Sequence, residues 1–181
     1  PINTQSFEEG GYGSITFTNY LSDTDDAGNP VAVAGLSLSL LGISDETLVE
    51  ANLNGHSLSV VSLDDDQYGI VDITVRASDG VKYSDTVVTF HVLNVNDAPN
   101  IDLTDIEEIT LQTGDVVNMQ LSDRITDVDN SDDEIWTVVS NEVPGSTQWN
   151  QITGVLVMSW QEPGPQTVSV TSEDRYGDSS T

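Results

Sequence analysis

The segment VDITVRASDG, residues 71–80, carries the clearest signal for the fold. Its apolar side chains stand at every second position, at Val71, Ile73, Val75 and Ala77, and polar side chains fill the positions between them. In an extended strand this period of two turns one face toward a core and the other toward water. The Ser-Asp-Gly sequence that follows is typical of a turn. The segment therefore predicts a half-buried β-strand that ends in a tight turn.

The same alternation recurs along the whole chain. It is visible at Ile15 and Phe17 and within residues 88–92, 117–121 and 168–170. Clusters of turn residues such as DAGNP, NLNG and EPGP separate these short segments. No capped amphipathic helix of useful length is visible, so the pattern predicts an all-β sandwich rather than a parallel sheet.

The chain also repeats itself over its 181 residues, a length that suits two domains of about 90 residues each. Pro1 and Pro99 lie 98 residues apart, and the same offset leads from Glu9 to Glu107, each of which belongs to an early acidic pair. These pairs are Glu8 with Glu9 and Glu107 with Glu108. We therefore predict two tandem sandwiches over residues 1–97 and 98–181, joined by a short linker that proline stiffens.

The second half is shorter than the first after its last turn. A strand-like segment, TVVTFHVLNV, follows the turn at Asp79, whereas only 7 residues follow Asp174. We expect the final strand of the second domain to be missing from this chain, disordered or supplied by another chain.

The composition limits the partners of the chain. Four Lys and Arg residues face 31 Asp and Glu residues, for a net charge of -27. Such a surface repels nucleic acid and anionic lipid, and it repels itself unless cations are present. The chain has no cysteine, so disulfide bonds cannot stabilise the domains, and metal ions are expected to do so instead. No apolar run is long enough to span a bilayer, and we expect an extracellular or cell-surface location without membrane insertion.

Three kinds of motif resemble those of cadherin repeats. VLNVNDAP, residues 92–99, resembles the linker that closes such repeats. LSDTDD (residues 21–26) and ITDVDNSDD (residues 125–133) resemble the Asp-x-Asp loop of the family, and ASDG and SEDRYG resemble its Asp before the last strand. The second half is also similar to the dystroglycan-type variant, through Trp149 ahead of a Thr-Gly turn. The resemblance covers nearly the whole chain and implies tandem Greek-key sandwiches of the immunoglobulin-like or cadherin-like kind.

The chemistry of calcium fits the residues that this resemblance singles out. Calcium prefers about six to eight oxygen ligands, which carboxylates, amides and backbone carbonyls supply. Loops that follow alternate strands gather at one end of a sandwich, so the acidic loop, the Asp turn and the linker should meet at the domain junction. The Ca²⁺ ligands predicted for this group are Asn94, Asn96, Asp97, Asp127, Asp129 and Asp174. Asn94 stands where the family more often has Asp, which lowers the charge of the site.

Two further acidic groups belong to the first domain. One group consists of Glu9, Asp64, Asp65 and Asp66, and we expect it to approach the junction from that domain. The other consists of Asp23, Asp25 and Asp79 at the opposite end. Its incoming linker would lie upstream of Pro1, so we expect a weaker or empty metal site there. In the second domain only Glu162 loosely matches the acidic run in the middle of the first.

The leading functional hypothesis is a calcium-stiffened spacer or adhesion module of a large secreted or surface protein. The short VNDAP linker, the missing cysteines and the acidity favour a bacterial source, with neighbouring repeats of the same chain as partners. The alternative is a carbohydrate-binding accessory module of a polysaccharide-degrading enzyme, which exposure of Trp136 and Trp160 in one plane would favour. A third hypothesis is homophilic binding between modules through calcium. Trp149 is expected in the core.

No enzymatic activity is expected. His56 and His91 lie on different elements and no cysteine joins them, which argues against a zinc site. The Gly-x-Ser-x-Gly, Walker and dinucleotide-binding motifs are absent from the sequence. A glycosidase pair of carboxylates would need a dry cleft, and two small sandwiches rarely offer one.

Overall fold

The computed structural model describes residues 2–106, 109–142, 146–161 and 163–181. Among these residues the chain forms strands and four single-turn 3₁₀ helices, and it contains no α-helix. The prediction of an all-β fold is confirmed. The chain divides into two compact units, Pro1–Val95 and Asn96–Thr181. Four residues named in the sequence analysis lie outside the described residues, namely Pro1, Glu107, Glu108 and Glu162.

Unit 1 is a sandwich of two sheets. Its strands are β1 (Gln5–Glu8), β2 (Tyr12–Thr16), β3 (Ser37–Ile43), β4 (Val49–Asn54), β5 (Ser57–Ser62), β6 (Gly69–Ser78) and β7 (Tyr83–Leu93). One sheet has the order β1-β7-β6-β3 and the other has the order β2-β5-β4. The chain crosses between the sheets after β1, β2, β3 and β5, which is the Greek-key connectivity of immunoglobulin-like sandwiches. Among the strands that the structure describes, only β1 and β7 pair in parallel.

The core of unit 1 follows from the period of two. Alternate side chains of β5, β6 and β7 are buried, and Leu58, Ile73 and Phe90 have no exposed surface. Phe7 packs edge-on against Phe90, with ring centroids 6.1 Å apart. Full burial of one such side chain stabilises the fold by about 1.5–3 kcal/mol. The segment at residues 71–80 is therefore a central core strand, β6, with the predicted turn at its end.

Unit 2 has the same layered plan with shorter strands. These are β8 (Asn100–Ile101), β9 (Val116–Gln120), β10 (Ile125–Thr126), β11 (Trp136–Asn141), β12 (Thr147–Asn150), β13 (Val155–Ser159), β14 (Val168–Glu173) and β15 (Ser179–Ser180). One sheet has the order β11-β14-β15, a second has the order β12-β13-β9, and β8 pairs with β10 as a short ribbon.

The core of unit 2 is smaller than that of unit 1. Its buried residues are Leu121, Ile125, Ile135, Leu156, Met158 and Val170. Trp149 and Trp160 pack against this core and are each partly buried. A polar pair lies inside as well, because the buried hydroxyls of Thr137 and Ser172 hydrogen-bond to each other at 3.0 Å. Within the described residues, no helix is both long and apolar enough to cross a bilayer.

Candidate metal site

A loop after β10 supplies the first part of a carboxylate cluster in unit 2. The Asp127 Oδ1 atom accepts hydrogen bonds from the backbone N–H groups of Asp129 and Asn130, both at 2.8 Å. Asp side chains favour such Asx turns because the carboxylate satisfies N–H groups two and three residues on. The turn buries Asn130 and half-buries Asp127 and Asp129. The Asp127 side chain thus stabilises the conformation of the loop that carries Asp129 and Asn130.

The turn between β14 and β15 supplies the second part. Asp174 is 5% exposed, and its Oδ1 atom accepts the backbone N–H groups of Tyr176 at 2.7 Å, Gly177 at 2.8 Å and Asp178 at 3.1 Å. Gly177 has a φ of 96°, a conformation that glycine adopts without steric cost. Because Oδ1 serves the turn, the Asp174 Oδ2 atom is left to face other segments.

The first residues of unit 2 join these two parts. The Asn96 Nδ2 atom donates to Asp174 Oδ2 at 2.5 Å and to Asp178 Oδ2 at 2.7 Å. Asn130 Nδ2 donates to Asn96 Oδ1 at 3.0 Å, and the Asp97 N–H donates to Asp129 Oδ2 at 2.8 Å. Three segments that are distant in sequence therefore form one polar network.

This network contains acidic side chains without a basic partner. Its carboxylates belong to Asp127, Asp129, Asp174 and Asp178. The chain has only four Lys and Arg residues, and each of them forms an ion pair elsewhere. These pairs are Arg76 with Asp85, Lys82 with Asp26, Arg124 with Asp105, and Arg175 with Glu134. Within the described residues, no Lys or Arg side chain therefore forms an ion pair with these carboxylates.

Two buried oxygen atoms in the loop point to a cation. Asp127 Oδ2 and Asn130 Oδ1 have no hydrogen-bond partner among the described residues. A buried polar atom that lacks a partner is costly, and a bound ion is one of the few ways to satisfy it. One carboxylate oxygen and one amide oxygen are ligands that calcium prefers. The donor set of the network is rich in oxygen and offers no thiolate or imidazole.

The pKa of Asp174 shows how strongly this position favours the charged form. Burial alone raises the pKa of a carboxyl group, but the hydrogen bonds from Asn96 and from the three backbone N–H groups of the turn outweigh it. The pKa of Asp174 is therefore held below its ordinary value of 3.8. The carboxylate stays ionised at neutral pH despite its burial.

In unit 1, the segment that contains Glu9 lies next to the acidic run of residues 64–66, with which it was predicted to form one group. Glu9 is buried, its Oε1 atom accepts the backbone N–H of Val95 at 2.6 Å, and the next residue, Gly10, donates its N–H to the Asp64 carbonyl. In the described part of the chain only one set of three acidic or histidine side chains has ligand atoms all within 4.8 Å of one another. That set is Asp64, Asp65 and Asp66.

The carboxylates of the unit 2 network do not meet this distance limit, because the Asn96 and Asn130 amides stand between them. Asn94, also predicted as a ligand, is exposed after β7 and has no side-chain partner among the described residues. The network thus contains five of the six residues that were predicted for the junction group.

The predicted group at the opposite end of unit 1 is looser. Asp23 and Asp79 line one cavity of about 500 Å³, and Asp25 does not. Asp25 instead accepts hydrogen bonds from the side chain and backbone of Asn29, which lower the pKa of Asp25. Asp79 closes its own turn by accepting the N–H groups of Val81 and Lys82, and these bonds lower its pKa as well.

Two residues of the unit 2 network were not predicted from the sequence. Asn130 directly follows Asp129 in the loop, and Asp178 directly follows the turn glycine. Asn130 is adjacent to the predicted ligand Asp129, and Asp178 lies four residues after the predicted ligand Asp174, so proximity in sequence was the available signal. What the sequence lacked was the partner of each, because Asn96 lies 34 residues before Asn130 and 82 residues before Asp178.

The tryptophans do not form the arrangement that a flat sugar platform needs. Trp136 is 66% exposed on β11, whereas Trp160 is partly buried against the core. Trp149 also packs there, as expected, and its indole N–H donates to Gln151. His56 hydrogen-bonds to the carbonyl of Leu36 at 2.9 Å. Exposure of Trp136 alone does not favour the carbohydrate-binding alternative.

Neither a protein-family model nor a curated protein sequence matches the chain. Among solved structures, repeats EC1-3 of mouse protocadherin-24 share 17% identity with a TM-score of 0.45, over 80% of this chain and 49% of that one. Repeats EC1-4 of Drosophila N-cadherin share 20% identity with a TM-score of 0.46, over 80% of this chain and 38% of that one. An endo-fucoidan hydrolase of glycoside hydrolase family 107 shares 14% identity with a TM-score of 0.35, over 99% of this chain and 27% of that one. The chain spans about half the length of the mouse protocadherin structure. The sandwich fold itself rests on the strand pairing described above.

Proposed function

We propose that this chain is a calcium-dependent spacer and adhesion module of a large extracellular bacterial protein. In this proposal it consists of two tandem cadherin-like sandwiches over residues 1–97 and 98–181. Its partners are neighbouring repeats of the same chain, with homophilic or polysaccharide contacts at the surface. It acts by binding and by holding a geometry, not by catalysis.

One observation carries the proposal, namely the pair of buried oxygens within an acidic network. Asp127 Oδ2 and Asn130 Oδ1 lack hydrogen-bond partners among the described residues, and the surrounding carboxylates have no Lys or Arg to neutralise them. Asp129, Asp174 and Asp178 supply further carboxylate oxygens in the same network, and Asp97 supplies its backbone carbonyl. A hard divalent cation with a preference for oxygen would satisfy both the charge and the orphaned atoms.

The connection between the units suggests how calcium would act. Val95 and Asn96 are consecutive residues that belong to different units. Glu9 binds the Val95 N–H within unit 1, and the Asn96 side chain is held within the acidic network of unit 2. Ions bound to these acidic residues would restrict the backbone rotations of the linker. They would also screen the repulsion within a chain of net charge -27.

The direct test is a calcium titration of the whole chain by calorimetry, carried into the millimolar range. Extracellular calcium sites have dissociation constants of about 10⁻⁴ to 10⁻³ M. The double variant Asp127→Asn with Asp129→Asn should lose the tightest binding event. The matched control, Asp132→Asn with Asp133→Asn, removes the same charge from exposed positions of the same loop and should bind as the wild type does. Absence of calcium binding by the wild-type chain would end the proposal.

A second measurement tests the spacer role separately from binding. Small-angle scattering should show a narrower range of particle dimensions in calcium than in EDTA for the wild type and for the control variant. The Asp127→Asn, Asp129→Asn variant should show the same scattering in both conditions. If calcium binds and the scattering does not change, the metal site stands and the stiffening mechanism is wrong.

A further inference from the structure

Strand β4 is an open edge of the sandwich in unit 1. It pairs with β5 over Val49–Asn54, and among the described residues no strand pairs with its other side. Hydrogen-bonded and non-hydrogen-bonded pairs alternate along an antiparallel ladder, and the Leu63 N–H donates to the Leu48 carbonyl. Every second residue from Leu48 onward therefore bonds to β5. The backbone groups of Ala51 and Leu53, which lie between these residues, point away from the sheet.

The usual protections of a sheet edge are absent from β4. Such edges are commonly protected by lysine, by proline or by a β-bulge. The edge strand of the other sheet, β3, has a bulge, because its register shifts between Leu40 and Gly42. Strand β4 keeps one regular register over its whole length, contains neither lysine nor proline, and has Glu50 as its only charged side chain. It is therefore able to accept another strand by backbone pairing.

The outward face of the sheet β2-β5-β4 is almost uncharged. Its exposed side chains are those of Tyr12, Ser14, Thr16, Glu50, Asn52, Asn54, Ser57, Ser59 and Val61. Only Glu50 carries a charge, in a chain whose net charge is -27. Two copies of so acidic a chain repel each other, and the repulsion is smallest where a face has few carboxylates. This face therefore favours contact with a second copy.

The position of β4 in the sandwich separates it from the segments that lead out of unit 1. Strand β1 begins the unit and β7 ends it, and these two strands are neighbours at one edge of the sheet β1-β7-β6-β3. Strand β1 contacts β2, whereas β4 contacts β3 at the opposite side of the sandwich. The open edge of β4 thus lies on the side away from the first and last strands of the unit, which favours a partner molecule over a neighbouring segment of the same chain.

We propose that β4 pairs antiparallel with β4 of a second copy of this chain. The two sheets β2-β5-β4 then join into one continuous sheet, related by a two-fold axis that passes between the paired strands. In pairing of this kind the backbone hydrogen bonds supply affinity, and the side chains that meet across the seam supply specificity. This inference deepens the homophilic contact of the proposed function and rests on that part of it.

The register follows from the backbone groups that point outward. Ala51 of each copy hydrogen-bonds to Leu53 of the other when Asn52 lies opposite its own counterpart. Ala51 and Leu53 are partly buried hydrophobic residues beside the core of unit 1, so each covers apolar surface of the other. On the outward face, Glu50 lies opposite Asn54, whose amide can donate to the carboxylate.

This register also keeps the acidic side chains of the two copies apart. The two Glu50 residues are four positions from direct opposition, a distance of about 14 Å. A register shifted by two residues would place Glu50 opposite Asn52 and bring the two carboxylates to about 7 Å from each other. The contact is small, because a standard interface involves about 20–30 residues of each partner and β4 has 6. We therefore expect a weak association, which a long array of repeats would reinforce through multivalency.

Cysteine cross-linking tests this register, because the chain has no cysteine of its own. Directly opposed residues of a non-hydrogen-bonded pair have Cα atoms about 4.5 Å apart, and a disulfide spans about 4.4–6.8 Å. Asn52→Cys should therefore form a disulfide-linked dimer in a glutathione redox buffer. Its yield should exceed that of Asn54→Cys at least about tenfold, because two copies of residue 54 lie about 14 Å apart.

A mixed experiment checks the same register independently. Glu50→Cys and Asn54→Cys should cross-link to each other when the two variants are mixed, and neither should cross-link alone. Equal yields from Asn52→Cys and Asn54→Cys would indicate random collision and would overturn the proposal. Absence of the mixed dimer, or of any dimer from Asn52→Cys, would overturn it as well.

Sedimentation velocity of the 181-residue chain in EDTA, at an ionic strength of about 0.15 M, measures the association without a cross-link. The sedimentation coefficient of the wild type should rise with protein concentration. Asn52→Asp places two carboxylates opposite each other and should raise the dissociation constant at least about fourfold. The control Ser14→Asp adds the same charge to the same row of the outward face, but on β2, and should associate as the wild type does.

Hydrogen exchange locates the contact. The backbone N–H groups of Ala51 and Leu53 should exchange more slowly at high protein concentration, and protection at β3 or in unit 2 instead would overturn the proposal. These measurements are made in EDTA, and β4 contains no residue of the acidic network. Absence of calcium binding would therefore leave them unchanged, whereas a chain that binds calcium but stays monomeric would overturn this inference alone.

Discussion

Removal of two carboxylates from the acidic loop gives the sharpest test of the metal site. Asp127→Asn with Asp129→Asn keeps an Oδ1 atom that accepts the N–H bonds of the turn, so the loop should keep its conformation. What disappears is negative charge next to the buried oxygens of the network. The thermal stability of the apo protein should stay the same or rise, because the remaining carboxylates repel one another less. The stabilisation by calcium should be lost.

The expected size of this loss follows from binding linkage and from the size of unit 2. At about 10 mM calcium and a dissociation constant of about 10⁻⁴ to 10⁻³ M, binding to the folded state adds about 1.4–2.7 kcal/mol to the free energy of unfolding. Unit 2 comprises Asn96–Thr181, and for a domain of that size each kcal/mol shifts Tm by about 4–8 °C. Calcium should therefore raise the Tm of unit 2 by about 6–22 °C in the wild type.

The assay is thermal unfolding in calcium, in EDTA and in sodium chloride at equal ionic strength. The sodium control is essential, because any salt screens a net charge of -27. The variant Asp132→Asn with Asp133→Asn, which loses equal charge from exposed positions, should keep the full calcium shift. The reasoning is refuted if sodium chloride reproduces the shift, or if the Asp127, Asp129 variant retains it.

Three other predictions concern the folded chain in EDTA. The pKa of Asp174 is lowered in the folded state, so the stabilisation from its carboxylate is complete above its ordinary pKa of 3.8 and is lost as the pH falls below it. The Tm difference between the wild type and Asp174→Asn should accordingly shrink below pH 3.8 in a series of melting curves. Leu58→Ala should lower the free energy of unfolding of unit 1 by about 2–5 kcal/mol in urea titrations. Leu156→Ala should lower the free energy of unfolding of unit 2 by less than that, because Leu156 already borders a cavity whereas Leu58 is fully enclosed. An equal loss of free energy would contradict the cavity. Gly154→Ala should destabilise the chain far more than Gly55→Ala. The two glycines have φ values of 66° and 58°, but only at Gly154 would an added Cβ atom overlap a side chain, that of Ser122. Similar melting temperatures for these two variants would show that the close approach is absent in solution.

Much of the fold was predictable because its signal is local. Alternation over residues 71–77 and 88–92 requires only that neighbouring side chains of a strand point to opposite faces, and both segments are core strands of unit 1. The same holds for the Asx turns at Asp127 and Asp174, where a carboxylate binds N–H groups within four residues of itself. Local geometry of this kind depends on few residues and is read directly from their order.

The composition likewise determined the charge balance of the chain, although not its distribution. A sequence with four basic residues predicts an excess of carboxylates, but it does not say which of them lack a cationic neighbour. Only the tertiary structure pairs Arg124 with Asp105 and Arg175 with Glu134, and so leaves the network around Asn96 without a basic side chain. Contacts of this kind join residues far apart in the chain, and their energy depends on the three-dimensional arrangement of the side chains.

The tertiary structure alone also decided how Asn96, Asn130 and Asp178 join the predicted ligands, and where unit 2 contains an apolar cavity. The sequence determined which segments of unit 2 alternate between apolar and polar side chains, such as residues 117–121 and 168–170. It did not determine that these segments border an apolar cavity of about 860 Å³. Strand periodicity predicts which face of a strand is apolar, because that is a property of one segment. Which side chains pack against that face depends on how the segments are arranged in three dimensions, and only the folded structure shows that arrangement.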